Sequence, residues 1–108
     1  MKPQVQDALA KAHKVRLDRA ALRAEVERLP HDEALQEVAR LIAAPPRCIW
    51  SLEAFALLQW CKYVKRERAL HYCRQAKVSE LALTGWLTKR QRSALCVALQ
   101  GDEMEVAA

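Results

Sequence analysis

The chain has 108 residues, 52% hydrophobic and 29% charged, and carries a net charge of +5. That length supports one core and excludes a second, while two glycines and four prolines leave little with which to build hairpins or a glycine-rich phosphate loop. No stretch approaches the ~18 apolar residues of a membrane span, and plentiful Ala, Leu, Arg, Glu and Gln without alternating β-branched runs point to an all-α protein.

The expected architecture is a compact single-domain bundle of five to six helices over residues 1–100, with a long N-terminal helix. That first helix runs from about Gln4 to Leu29. Val5, Ala8, Ala12, Val15, Leu22, Val26 and Leu29 fall on one heptad-spaced stripe, broken only by Arg19. Such a stripe pairs one helix with another, in its own fold or in a partner. A homodimer through residues 4–29 is one such pairing. Pro30 suits the first turn of a second helix, with Asp32 and Glu33 at its positive end. Leu35, Val38, Ala39, Leu41 and Ile42 make the apolar face, and Pro45-Pro46 ends it.

A third helix is predicted from Trp50 to Val64. It is apolar nearly all round, which places Trp50 and Trp60 in the core. A fourth runs from Arg66 to about Ala76, with Ala69, Leu70, Cys73 and Ala76 inward. A short helix, Ser79 to about Leu87, opens on the Ser79 hydroxyl as cap. Thr88-Lys89-Arg90-Gln91 reads as a capping box for a last helix to about Gln100. Gly101 is a natural terminator, after which the acidic tail, 101–108, is expected to fray.

Four cysteines stand at 48, 61, 73 and 96. No apolar secretory region follows Met1-Lys2-Pro3-Gln4, so they read as reduced and buried in a cytoplasmic protein. Catalytic constellations are missing. His71 and Cys73 sit two apart on a helix and face different ways, so with Cys61 they make a poor metal set. A Cys61–His71 nucleophile pair lacks an orienting third group, and Asp32 with Glu33 suits a helix first turn. No enzyme activity, cofactor or metal is expected. Residues 49–100 hold nine basic and three acidic residues, so the positive excess lies on the C-terminal helices. A basic surface beside Trp60, Tyr63, Tyr72 and Trp86 suits an acidic protein or a phosphate backbone.

Residues 69–88, ALHYCRQAKVSELALTGWLT, resemble the helix-turn-helix unit of phage-repressor-type DNA-binding proteins. The resemblance implies a first helix with Cys73 at the small inward position beside Tyr72, closing at Ala76. Lys77 then fills the turn in a left-handed conformation, Val78 is buried and Ser79 caps the second helix. Leu83 and Trp86 anchor that helix, and Glu80, Leu81, Thr84 and Gly85 face the groove. This groove set lacks the Arg, Lys, Asn or Gln that read base edges. Residues 66–76 also look like the second helix of a tetratricopeptide unit, without its 34-residue period.

Two functions follow as expectations. The first is a non-catalytic protein–protein interaction module, an adaptor, regulator or anti-activator, using Leu81, Trp86, Tyr63, Lys65, Arg66, Lys89 and Arg90. The alternative is a small transcriptional regulator that meets DNA through Ser79, Thr84, Thr88, Lys89 and Arg90.

Overall fold

The computed structural model describes the backbone of residues 3–107 and the side chains of residues 7–101. Five α-helices are named here in chain order: α1 (Pro3–Arg28), α2 (His31–Ala43), α3 (Ala54–Leu58), α4 (Arg66–Ala76) and α5 (Lys89–Ala107). Two 3₁₀ turns, Arg47–Ile49 and Thr84–Trp86, lie between them. The all-α, single-domain expectation holds.

The centre of the fold is the α2–α5 pair. Ala34, Leu35, Val38, Leu41 and Ile42 of α2 are fully buried, and their spacing puts all five on one stripe. Leu95 and Leu99 of α5 meet that stripe. The helices run antiparallel: Arg92 reaches Ile42, while four residues on, Cys96 donates from Sγ to the Ala39 carbonyl at 3.4 Å. Pro30 lies just before α2 rather than within it. Its carbonyl accepts the Ala34 N–H at 2.8 Å, and α2 ends before the predicted proline pair.

α4 closes the other side of α5. It stops in a complete Schellman motif: Val78 N–H bonds to Cys73 O at 2.8 Å and Lys77 N–H to Arg74 O at 3.2 Å. Lys77 takes the left-handed conformation this requires, with φ 57°. At the start of α5 the predicted capping box is present in both halves. Thr88 Oγ1 accepts from Gln91 N–H at 3.1 Å, and Gln91 Oε1 accepts from Thr88 N–H at 2.9 Å.

α1 is a 26-residue rod, about 39 Å long. Val26 is buried, and Val15, Leu22 and Leu29 pack partly on the core. Residues 7–14 are exposed throughout, while Val5 lies outside the described side chains. Arg19, the break in the stripe, has a structural role. It donates from Nε to Cys48 O and from Nη2 to Ser51 Oγ, both at 3.0 Å, and so ties α1 to the first 3₁₀ turn.

Three elements differ from expectation. The third helix spans only Ala54–Leu58. Residues 50–54 instead give their backbone groups to residues 82–85: Ala54 N–H to Ala82 O, Thr84 N–H to Leu52 O and Gly85 N–H to Trp50 O, at 3.0, 2.8 and 3.0 Å. A backbone group committed across the molecule cannot also bond within a helix. The same pairing removes the short helix over Ser79–Leu87. A turn at Ser79–Ala82, an isolated bridge of Leu83 to Glu53, and the Thr84–Trp86 turn stand there instead. Finally, α5 does not stop at Gly101 but continues to Ala107. Glycine in a helix costs only about 1 kcal/mol, and nothing there requires the chain to turn. The expected fraying of 101–108 falls on side chains, and on Ala108, outside the described residues.

Candidate functional site

The link between residues 50–54 and 82–85 turns two tryptophans outward. Trp50, expected in the core, is 41% exposed, and Trp86 is 69% exposed. Trp60 is buried as expected. The Trp50 and Trp86 rings meet edge to face, centroids 6.3 Å apart at 89°, a favoured geometry for aromatic pairs.

The Trp50 ring is held in place from below, and the turn that carries Trp86 is tied to the same place. Trp50 Nε1 donates to Pro45 O at 2.9 Å, which fixes the ring over the turn that ends α2. Arg47 lies against the Trp50 ring, 5.8 Å from its centroid. Gly85 packs so closely beneath that an added Cβ would stand 2.6 Å from Trp50 Cβ and 2.9 Å from Trp50 Cα. Only glycine fits such an approach. Thr84, fully buried, donates its hydroxyl to Leu52 O at 2.8 Å. Arg92 completes the junction, donating to Ile42 O at 2.8 Å and to Gly85 O at 3.2 Å. It satisfies an orphan carbonyl in the last turn of α2 and clamps the Thr84–Trp86 turn to it.

The residues expected at a protein contact separate into groups. Leu81, 76% exposed, and Trp86 belong to the 79–87 segment, and Lys89 and Arg90 follow as the exposed first residues of α5. Tyr63, Lys65 and Arg66 lie elsewhere. Tyr63 packs edge-on against His31, 5.7 Å away, at the start of α2, with Lys62 Nζ 5.7 Å from its ring. Arg66 stacks over Phe55 at 5.6 Å. Trp50 is bonded just past the far end of the 13-residue α2, so about 20 Å of helix separates the Tyr63 group from the tryptophan pair. The expected contact residues therefore fall on two separate parts of the molecule.

The residues expected at DNA are largely engaged within the fold. Ser79 Oγ accepts from Leu81 N–H at 3.2 Å, Thr84 is buried and Thr88 caps α5. Lys89 and Arg90 remain exposed. The segment 79–87 contains no recognition helix.

Trp50, Arg47 and Arg92 were not singled out as site residues from the sequence, and Gly85 was read only as a groove-facing position. The signal was Gly85, an isolated glycine in a glycine-poor chain, which marks a close approach.

The thiols are unsuited to chemistry. Burial pushes Cys61 up to about 12 and, with the nearby Glu80 charge adding to it, Cys73 up to about 11. Cys48 and Cys96 are raised by burial too. A protonated thiol is a poor nucleophile and a poor metal ligand. Among the described residues no three of His, Cys, Asp and Glu stand together as a metal site, and no helix is long and apolar enough to cross a membrane.

Comparison with protein-family models, with curated proteins and with solved structures finds no match to this chain.

Proposed function

We propose that this protein is a non-catalytic contact module, an adaptor or regulator, that docks another protein on the Trp50–Trp86 surface. The observation that carries the reading is the fixed, outward-facing tryptophan pair. Two large aromatic rings left in water forgo burial worth roughly 1.5–3 kcal/mol for a large apolar side chain. Yet Trp50 is held by its bond to Pro45 O and by Gly85 beneath it, and the turn that carries Trp86 is braced by Thr84 and Arg92. Preorganised tryptophans bind with little loss of side-chain entropy and dominate interface energetics. Lys89 and Arg90 open α5 with no acidic residue in its first turn. Bases at a helix N-terminus oppose the dipole, and they concentrate positive potential beside Trp86. That favours an acidic partner surface.

DNA binding through Ser79, Thr84, Thr88, Lys89 and Arg90 has less support, because three of those side chains serve the fold. A homodimer through 4–29 has less support as well. Val15, Leu22, Val26 and Leu29 of the α1 stripe pack on the protein's own core, leaving Ala8 and Ala12 of its described part open, and the exposed Leu9 and Leu17 lie off the stripe.

An affinity pull-down from the native host, with and without nuclease, tests the proposal. Wild type is expected to retain one stoichiometric protein in both conditions. Trp86→Ala and Leu81→Asp should each release it while keeping the helical circular dichroism spectrum. Retention of the same partner by both variants, or its loss on nuclease treatment, contradicts the reading.

A further inference from the structure

α1 is pinned to the core by Arg19, and its residues 7–14, all exposed, continue past the Arg47–Ile49 turn. Between the two lies a groove of about 450 Å³. Its floor is apolar, made of Ala12, Val15 and the edge of Cys48. Its rim carries Lys11, Lys14 and Arg47 against one carboxylate, Asp18. None of the three cations forms an ion pair with a described residue. Arg47 also lies against Trp50, so the groove shares this cation with the tryptophan pair.

We infer that this groove binds an acidic segment of the partner protein, one that alternates carboxylates with apolar side chains. The argument is charge complementarity over an apolar floor. Three cations with no ion pair to a described residue, around a strip of small aliphatic side chains, match a chain that places a Leu or Phe inward and carboxylates on either side. A nucleic-acid strand fits the groove less well, because its floor of Ala12 and Val15 offers no ring on which a base can stack. The inference rests on the contact-module reading for the existence of a partner. It adds a second point of contact, next to the tryptophans, and the chemistry of the segment that fills it.

The test is a fluorescence anisotropy titration of the full chain. One probe is a labelled 12-residue synthetic peptide alternating Glu or Asp with Leu and Phe. The others are its Gln/Asn counterpart and a 20-mer oligothymidylate. At low salt the acidic peptide should bind about tenfold or more tighter than the amide peptide, and the preference should shrink as ionic strength rises. The double reversal Lys14→Glu/Arg47→Glu should abolish the preference, and Lys14→Arg/Arg47→Lys should keep it. Lys14 and Arg47 are exposed, so unchanged circular dichroism and thermal midpoint serve as the folding check. Equal binding of the two peptides, retention by the reversed protein, or tighter binding of the oligothymidylate overturns the inference. So does a dimer of this chain that the same reversal dissolves, since the groove would then hold a second copy. In the pull-down, partner loss on Trp86→Ala but not on the double reversal overturns the groove alone and leaves the tryptophan surface standing.

Discussion

Lys77 is the one described non-glycine residue with positive φ. A left-handed residue with a Cβ carries roughly 1–2 kcal/mol of strain that glycine avoids. Lys77→Gly is therefore expected to stabilise the fold by about 1 kcal/mol, read as a higher urea midpoint with unchanged slope; a lower midpoint would contradict the strain assignment. The thiols give a second residue-scale expectation. Their folded values, about 12 for Cys61 and about 11 for Cys73, lie above the ordinary value of 9.0. Below pH about 9 both states keep the protons and the stabilising effect of burying them is complete. Above it the unfolded chain releases protons that the folded chain holds, so stability falls as pH rises toward the folded values. The urea midpoint should drop between pH 9 and 11, and Cys61→Ala should flatten that slope while lowering stability throughout. A slope unchanged by the substitution would assign the alkaline loss to other groups. Single-residue chemistry of this kind was legible in the sequence where it is local. The Thr88–Gln91 capping box and the left-handed Lys77 each involve residues at most three apart, or one residue alone. The exposure of Trp50 was not legible, because it depends on a glycine thirty-five positions away.

At the scale of elements the same division holds. α2, α4 and the start of α5 follow from apolar periodicity and caps within each segment. The late start of α3 and the missing helix over 79–87 have one common cause. Residues 50–54 and 82–85 satisfy each other's backbone groups, and an isolated apolar run gives no sign of a partner so distant in sequence. Gly85 is the hinge of that arrangement. Gly85→Ala would push a Cβ to 2.6 Å from Trp50 Cβ and 2.9 Å from its backbone, so something must move. The substitution should destabilise by about 1–3 kcal/mol and separate the two rings, visible as altered near-ultraviolet circular dichroism from tryptophan. A variant with wild-type stability and spectrum would show that the contact is slack. Arg19 makes the same point for α1. The sequence marked it as a misfit in a heptad stripe, and its bonds to Cys48 O and Ser51 Oγ became intelligible only once that turn was placed beside the helix.

The whole molecule is elongated, 60 × 28 × 21 Å. The basic residues counted along the sequence do not gather on one surface. Tyr63, Lys65 and Arg66 stand by the start of α2, while Trp86, Lys89 and Arg90 follow one another beyond its other end. Net charge and tryptophan content raised the expectation of a contact surface, and could not say which cations share a face, since that follows from the antiparallel packing of α2 and α5. The proposed contact lies at the end where the segments carrying the two tryptophans are joined by backbone bonds, beside the groove that shares Arg47 with it. The central claim is that Trp86 is an anchor for a protein partner. Its most direct test is the dissociation constant of the captured partner for wild type and for Trp86→Ala, by isothermal titration. A central aromatic anchor contributes about 2 kcal/mol or more, so the account predicts a weakening of about 30-fold or greater. A constant unchanged within about twofold, the loss expected of a peripheral contact, would contradict it.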